Sequence, residues 1–143
     1  YPATIEGITD VEVRPQISGY ISRILADEGD YVHAGQALFV IDSRIYQEQY
    51  KNAKAAVQVA QANLTSAKIE LNRKKELVKD KIVSDLQLQQ ARASYDAAVA
   101  GLAQAQAAAG SAKINYEFCT VTAPVSGYLG KFPYRLGSLV SPS

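Results

Sequence analysis

The 143-residue chain has one cysteine, one histidine, no methionine and five prolines. The single cysteine, Cys119, excludes an intrachain disulfide and leaves the redox compartment open. One histidine, His33, together with one cysteine cannot assemble a conventional zinc site, so no metal is expected. No apolar run approaches the roughly 18 residues needed to span a bilayer as a helix. Charge of one sign is also lacking. Fifteen basic and 14 acidic side chains leave a formal +1, which carries no nucleic-acid signature. Phosphate-loop and dinucleotide fingerprints are missing. Glu70, Glu76, Asp80 and Asp85 read as a solvated helix face and turn, not as a paired acid and base. His33 lies in a Gly/Asp-rich turn with no nucleophile near it in sequence, and Cys119 beside Phe118 reads as a buried small apolar residue. Neither an enzyme nor a cofactor is expected.

What is present is a long periodic stretch from Ser43 to Glu117. Tyr50, Val57, Leu64, Leu71 and Val78 recur every seven residues, with Ala53, Ala60 and Ala67 offset by three. After a break at Lys79–Val83 the pattern resumes as Leu88, Tyr95, Leu102, Ala109 and Tyr116, with Ala91, Ala98, Ala105 and Ala112 offset by three. This is the a/d seam of a coiled coil. The two combs match as an antiparallel hairpin: Val78 faces Leu88, Leu71 faces Tyr95, Leu64 faces Leu102, Val57 faces Ala109 and Tyr50 faces Tyr116, each pair of numbers adding to 166. Opposed alanines let the helix axes approach closely. Asp42 or Ser43 caps the first helix, and Ser84 with Gln87 three residues later forms a capping box for the second. Gly101 and Gly110 predict local softness or close packing within that helix.

The flanks read as β-structure. Strands are predicted over Thr4–Arg14, Gly19–Leu25, Ala37–Ile41 and Phe118–Thr122, with turns at Asp27–Asp30 and Ala34–Gln36. Across the hairpin the flanks repeat. Ser18-Gly19-Tyr20-Ile21 recurs as Ser126-Gly127-Tyr128-Leu129, Gly29 as Gly137 and Val32 as Val140, all at an offset of 108 residues. Neither half is large enough to bury a core alone. The two are therefore expected to pack together as one small β-domain that the hairpin interrupts.

This arrangement resembles the periplasmic adaptors, or membrane fusion proteins, of tripartite efflux pumps of the resistance-nodulation-division (RND) type. Val11 to Gly19, Glu28 to Phe39 and Ile41-Asp42 are similar to the first half of that family's lipoyl-like domain, and Thr122 to Gly130 to the second half. Gly19, Gly29, Gly35, Pro124, Gly127 and Gly137 carry the motif. The resemblance implies an α+β fold: a split lipoyl-like (barrel-sandwich hybrid) β-domain at 11–42 plus 118–143, with an inserted antiparallel helical hairpin at 43–117. Residues 1–10 would supply a strand of an adjacent β-barrel domain. The chain opens on Tyr1-Pro2 and ends on Ser141-Pro142-Ser143, in mid-pattern at both ends, and reads as a stretch of a longer protein.

The resemblance also implies function. The family carries an arginine, a leucine four residues on and a serine seven residues later at the hairpin tip, here Arg73, Leu77 and Ser84. In the family these dock against the helical end of an outer-membrane channel. Singly, each has a plain structural explanation: Ser84 as a helix cap, Leu77 as closure of the seam, Arg73 as a solvated charge. Jointly, with Ile82 and Val83 expected to leave apolar groups at a basic apex, they fit docking. The expected partners are an inner-membrane transporter of RND type, an outer-membrane channel, and further copies of the chain in a ring, as a trimer or hexamer. The location is the periplasm, with inner-membrane attachment through segments outside this chain. Gln-rich outer faces (Gln58, Gln61, Gln104, Gln106) read as solvated or as surfaces for side-by-side hairpins. Three alternatives stay open: an adaptor for an ABC-type exporter, a self-associating coiled-coil scaffold, and a lipoyl or biotinyl carrier. The carrier reading is weakened because Asp42-Ser43-Arg44 leads into a helix where a carrier lysine would stand, and the first lysine after it is Lys51.

Overall fold

The computed structural model describes residues 10–130 and 134–142. They form two compact units, one holding the residues up to Gln47 and those from Lys113 onward, the other holding Glu48–Ala112.

The first unit is the β-domain. Its strands are β1 (Asp10–Val11), β2 (Gly19–Ile24), β3 (Tyr31–Val32), β4 (Ala37–Ile41), β5 (Thr120–Thr122), β6 (Gly127–Leu129) and β7 (Leu139–Val140). They make a three-stranded sheet in the order β1-β6-β3 and a four-stranded sheet in the order β5-β4-β2-β7. Between them lies one apolar core that includes Val11, Ile21, Val32, Leu38, Phe39, Ile41, Val121, Leu129 and Val140. β4 is apolar along its whole length because it is covered on both faces, as its unbroken apolar run predicts.

The 108-residue repeat is a symmetry of backbone hydrogen bonds. β3 of the first half pairs with β6 of the second, and β7 of the second half pairs with β2 of the first, both antiparallel. The registers correspond residue for residue: Val32 opposes Gly127 as Val140 opposes Gly19, and Tyr31 opposes Tyr128 as Leu139 opposes Tyr20. The turns correspond as well. Gly29 N–H donates to the Leu129 carbonyl at 2.8 Å, and Gly137 N–H donates to the Ile21 carbonyl at 2.9 Å. Both glycines have positive φ, +91° and +81°, which a side chain rarely adopts. Each half thus completes the other's sheet, which is why neither is a folding unit by itself. The Gly35 turn is tied in by reciprocal bonds, Gly35 N–H to the Ala123 carbonyl and Ala123 N–H to the Gln36 carbonyl, next to Pro124.

Three strand boundaries differ from expectation. Of the segment 4–14, residues 4–9 lie outside the described residues, and the ladder covers only Asp10–Val11. Beyond it residues 11–18 still alternate buried and exposed. β6 ends at Leu129, so Glu12 has no ladder partner there, and Pro15 brings no N–H to a ladder. The strand expected from Phe118 begins at Thr120, because helical geometry continues: Phe118 N–H still donates to the Ile114 carbonyl at 2.9 Å. Tyr31–Val32, left unassigned between the two predicted turns, is strand, too short for alternation to reveal.

The second unit holds most of two helices, α1 (Arg44–Lys79, 36 residues) and α2 (Asp85–Glu117, 33 residues). α1 starts where expected, with Asp42 Oδ1 accepting from the Arg44 N–H at 3.1 Å. From Lys51 to Glu76, the positions not fully exposed are Ala53, Val57, Ala60, Leu64, Ala67, Glu70, Leu71 and Lys74. On α2 they include Leu88, Ala91, Tyr95, Ala98, Leu102, Ala105, Ala109 and Ala112. Burial thus falls on the heptad comb, with Leu71 and Ala91 the most buried. α2 runs unbroken through Gly101 and Gly110, and a Cβ at either would meet open space. The close-packing reading of these glycines is therefore corrected. Gly110→Ala should stabilise the helix by about 1 kcal/mol, read as a higher thermal midpoint.

Candidate functional site: the turn between the helices

α1 stops at Lys79 without a glycine. Ile82 N–H donates to the Leu77 carbonyl at 2.8 Å, and Lys81 N–H to the Val78 carbonyl at 2.9 Å. This is the Schellman pattern, which satisfies two terminal carbonyls of the helix. Its C′ residue must be left-handed, and Lys81 takes φ +60°. A glycine there would have advertised the stop, and a lysine does not. Four residues after Asp80 the chain restarts. Ser84 Oγ accepts from the Gln87 N–H at 3.3 Å, the expected N-cap, and Asp85 follows in the first turn, where its charge suits the helix dipole.

The expected site residues are distributed around this turn. Arg73 lies on α1, its Nη2 3.1 Å from Glu70 Oε1, with most of its side chain exposed. The same carboxylate oxygen is 3.7 Å from Lys74 Nζ. An exposed pair of this kind contributes little to stability and leaves Arg73 free to exchange partners. Leu77 is half-buried and Ser84 is exposed. Ile82 is 67% exposed, as expected of an apex, but Val83 is half-buried and does not present an apolar group as expected. The second exposed apolar residue is Leu86, 62% exposed, in the first turn of α2. Its position off the heptad comb was the signal that could have found it. Ile82 and Leu86 are thus the exposed apolar side chains at this turn, and Arg73, Lys75, Lys79 and Lys81 are exposed cations on the same stretch of chain.

Elsewhere the charged groups have local roles. The Arg44 guanidinium grips Asp42 through Nε and Nη2, at 3.0 Å to Oδ1 and 2.7 Å to Oδ2, and these bonds hold the Asp42 carboxyl below its ordinary pKa. Lys51 pairs with Glu48 at 3.5 Å inside α1 and does not occupy the tight hairpin a carrier lysine needs. His33 is exposed, edge-on to Tyr31. Among the described residues no cluster of three or more His, Cys, Asp or Glu could hold a metal, and no helix is long and apolar enough to cross a membrane.

Cys119 is 1% exposed, and burial, with a smaller contribution from the Asp42 charge, pushes its thiol up to about 11. A raised thiol pKa in the fold means that the unfolded chain loses its proton first. Stability should therefore fall as pH climbs from about 9 toward about 11, and be insensitive to this group below that window. At pH 8 the folded chain should resist iodoacetamide and react once unfolded in urea, as mass spectrometry would show.

A β-domain of two interlocked half-repeats, interrupted by two long helices, is a barrel-sandwich hybrid with a helical insertion. Residues 9–143 match the family model described as "RND MFP, barrel-sandwich hybrid domain", and the chain belongs to this family, the RND membrane fusion proteins. These are adaptors, not enzymes. The chain is 38% identical over 129 residues to the multidrug efflux pump subunit AcrA of Escherichia coli K12, covering 90% of this chain and 32% of that protein. It is 37% identical over 140 residues to the multidrug resistance protein MexA of Pseudomonas aeruginosa, covering 98% and 33%. Among solved structures, MacA from Actinobacillus actinomycetemcomitans matches with a TM-score of 0.67 at 27% identity, over 93% of this chain and 45% of that one. The chain spans about a third of the length of AcrA and MexA.

Proposed function

We propose that this chain is the central part of a periplasmic adaptor subunit that links an inner-membrane RND transporter to an outer-membrane channel. The two helices act as an antiparallel coiled-coil hairpin in the register Leu71 to Tyr95 and Leu64 to Leu102. The observation that carries this is burial on one comb along both helices, ending in a capped turn where Ile82 and Leu86 face solvent. At 1.5 Å per residue such a rod is about 50 Å long and sets a fixed span. The mechanism is geometric. The rod holds two membrane complexes at one distance, and Arg73, Leu77, Ile82 and Ser84 supply the docking contact. The transport chemistry belongs to the transporter.

The rest of the reading concerns the whole protein. Copies assemble in a ring as trimers or hexamers, residues 1–10 lead into a neighbouring β-barrel domain, and attachment to the inner membrane comes from segments beyond this chain. The match to the RND branch of the family favours an RND transporter over an ABC-type exporter.

The test is drug-efflux complementation by the full-length protein. Arg73→Asp should abolish it while shifting stability by no more than about 1 kcal/mol, because the Glu70 pair is exposed. Ser84→Glu should also abolish it, and its effect on the helix cap is followed in parallel by thermal melting. Wild-type efflux with Arg73→Asp at normal expression would refute docking through this turn.

A further inference from the structure

We propose that Glu70 and Lys74 form a polar layer that fixes the register of the two helices. The inference rests on the paired-helix reading above. Position 74 continues the series Ala53, Ala60, Ala67, where another small apolar residue is due. A lysine stands there instead, with only 23% of its side chain exposed and its Nζ 3.7 Å from Glu70 Oε1. One cleft holds Glu70 and Lys74 together with Gln87, Gln90 and Ser94 of α2. Two amides and a hydroxyl thus border the ion pair from the facing helix. Ala91 borders the same cleft, and its small side chain leaves room for the aliphatic stem of Lys74.

The rest of the seam discriminates poorly between registers. A slip of one heptad would set Leu71 against Leu102 instead of Tyr95, and Ala67 against Ala105 instead of Ala98. Apolar residues would still meet apolar residues, as any strict heptad repeat permits. The polar layer does not survive the slip. The places of Gln87, Gln90 and Ser94 would pass to Ser94, Ala97 and Gly101, so both amides are lost. A half-buried ion pair stripped of polar neighbours is far costlier than a misplaced methyl group. Slipping the other way would pull residues 84–87 into the seam and destroy the Ser84 cap. A polar residue at one seam position is the best-attested register device in coiled coils, obtained at some expense in stability.

The experiment is oxidative cross-linking in the full-length protein with Cys119→Ala. Ala67→Cys with Ala98→Cys reports the native register. Ala67→Cys with Ala105→Cys reports the slipped one, since one heptad displaces partners by about 10 Å, beyond disulfide reach. With Lys74 present only the first pair should close. With Lys74→Leu both should close, and the thermal midpoint should rise. With Lys74→Arg only the first should close. If Lys74→Leu still closes only the native pair, the polar layer does not set the register. If the native pair fails to close while Lys74 is unchanged, the paired-helix reading itself falls, a result visible before Lys74 is touched.

Discussion

Phe39→Ala should cost about 3–5 kcal/mol and leave the β-domain largely unfolded at 37 °C. Phe39 is 0% exposed on β4, with its ring 5.0 Å from that of Tyr134. β4 is paired on both sides, to β2 and to β5, so it cannot move to fill the space a truncated ring leaves. The domain has one core of mostly small and medium side chains, and Phe39 is the largest fully buried residue in it. A loss of this size is comparable with the whole stability of a small domain. Urea denaturation followed by tyrosine fluorescence would measure it. Phe118→Ala is the control: that ring is 38% exposed, and its removal should change stability by about 0.5 kcal/mol or less. If the two variants unfold at the same urea concentration, the core is not centred on β4.

The contrast between these two phenylalanines shows what was legible in the sequence. The helical combs were readable because each is a local period repeated many times, and burial falls where the period puts it. Ala37–Ile41 was readable because five apolar residues between turns have few alternatives. The offset of 108 residues told that two half-units exist. It did not tell that they exchange strands, with β3 on β6 and β7 on β2, because pairing between distant segments leaves no local trace. Phe118 was read as the start of a strand, yet helical hydrogen bonding continues one residue past Glu117, with Phe118 N–H on the Ile114 carbonyl. At the turn, Ser84 was legible through its spacing to Gln87, and Arg73 and Leu77 through resemblance. Lys81 was not, because its left-handed backbone carries none of the usual glycine signature. Val83, expected at the apex, is half-buried because the turn rotates the chain by an amount that periodicity cannot carry across a break, whereas the exposure of Leu86 follows from its place off the comb.

The interlocking of the halves also explains how a long insertion is tolerated. The helices leave after β4 and return before β5, and these strands are neighbours, with Val40 opposite Thr120 and Ile41 N–H donating to the Cys119 carbonyl at 2.6 Å. The two ends of the insertion are therefore held together by the sheet. Whatever length lies between them adds little closure entropy once that ladder is formed. A long helical insertion can therefore be carried by a small domain at little entropic cost to it.

Gly19→Ala should cost about 1–3 kcal/mol through overpacking at that same point. A Cβ on Gly19 would stand 2.5 Å from Ile41 Cγ2, closer than real Cβ atoms come, so the Ile41 side chain or the strand that carries it must shift. Ile41 is 0% exposed and lies between β2 and β5 in the sheet, and Gly19 itself opposes Val140 of β7. Neither strand can retreat without breaking the pairing that joins the two halves. The argument is tested by a double-mutant cycle. Ile41→Ala alone should cost about 2–5 kcal/mol by leaving a cavity. In the presence of Gly19→Ala its cost should shrink, since the new methyl group then occupies part of the vacated space and the clash is gone. The two losses, measured by chemical denaturation, should fall short of additivity by about 1 kcal/mol or more. Strict additivity would mean that Gly19 is required for its backbone freedom alone, and that the close approach of β2 to β4 does not select it.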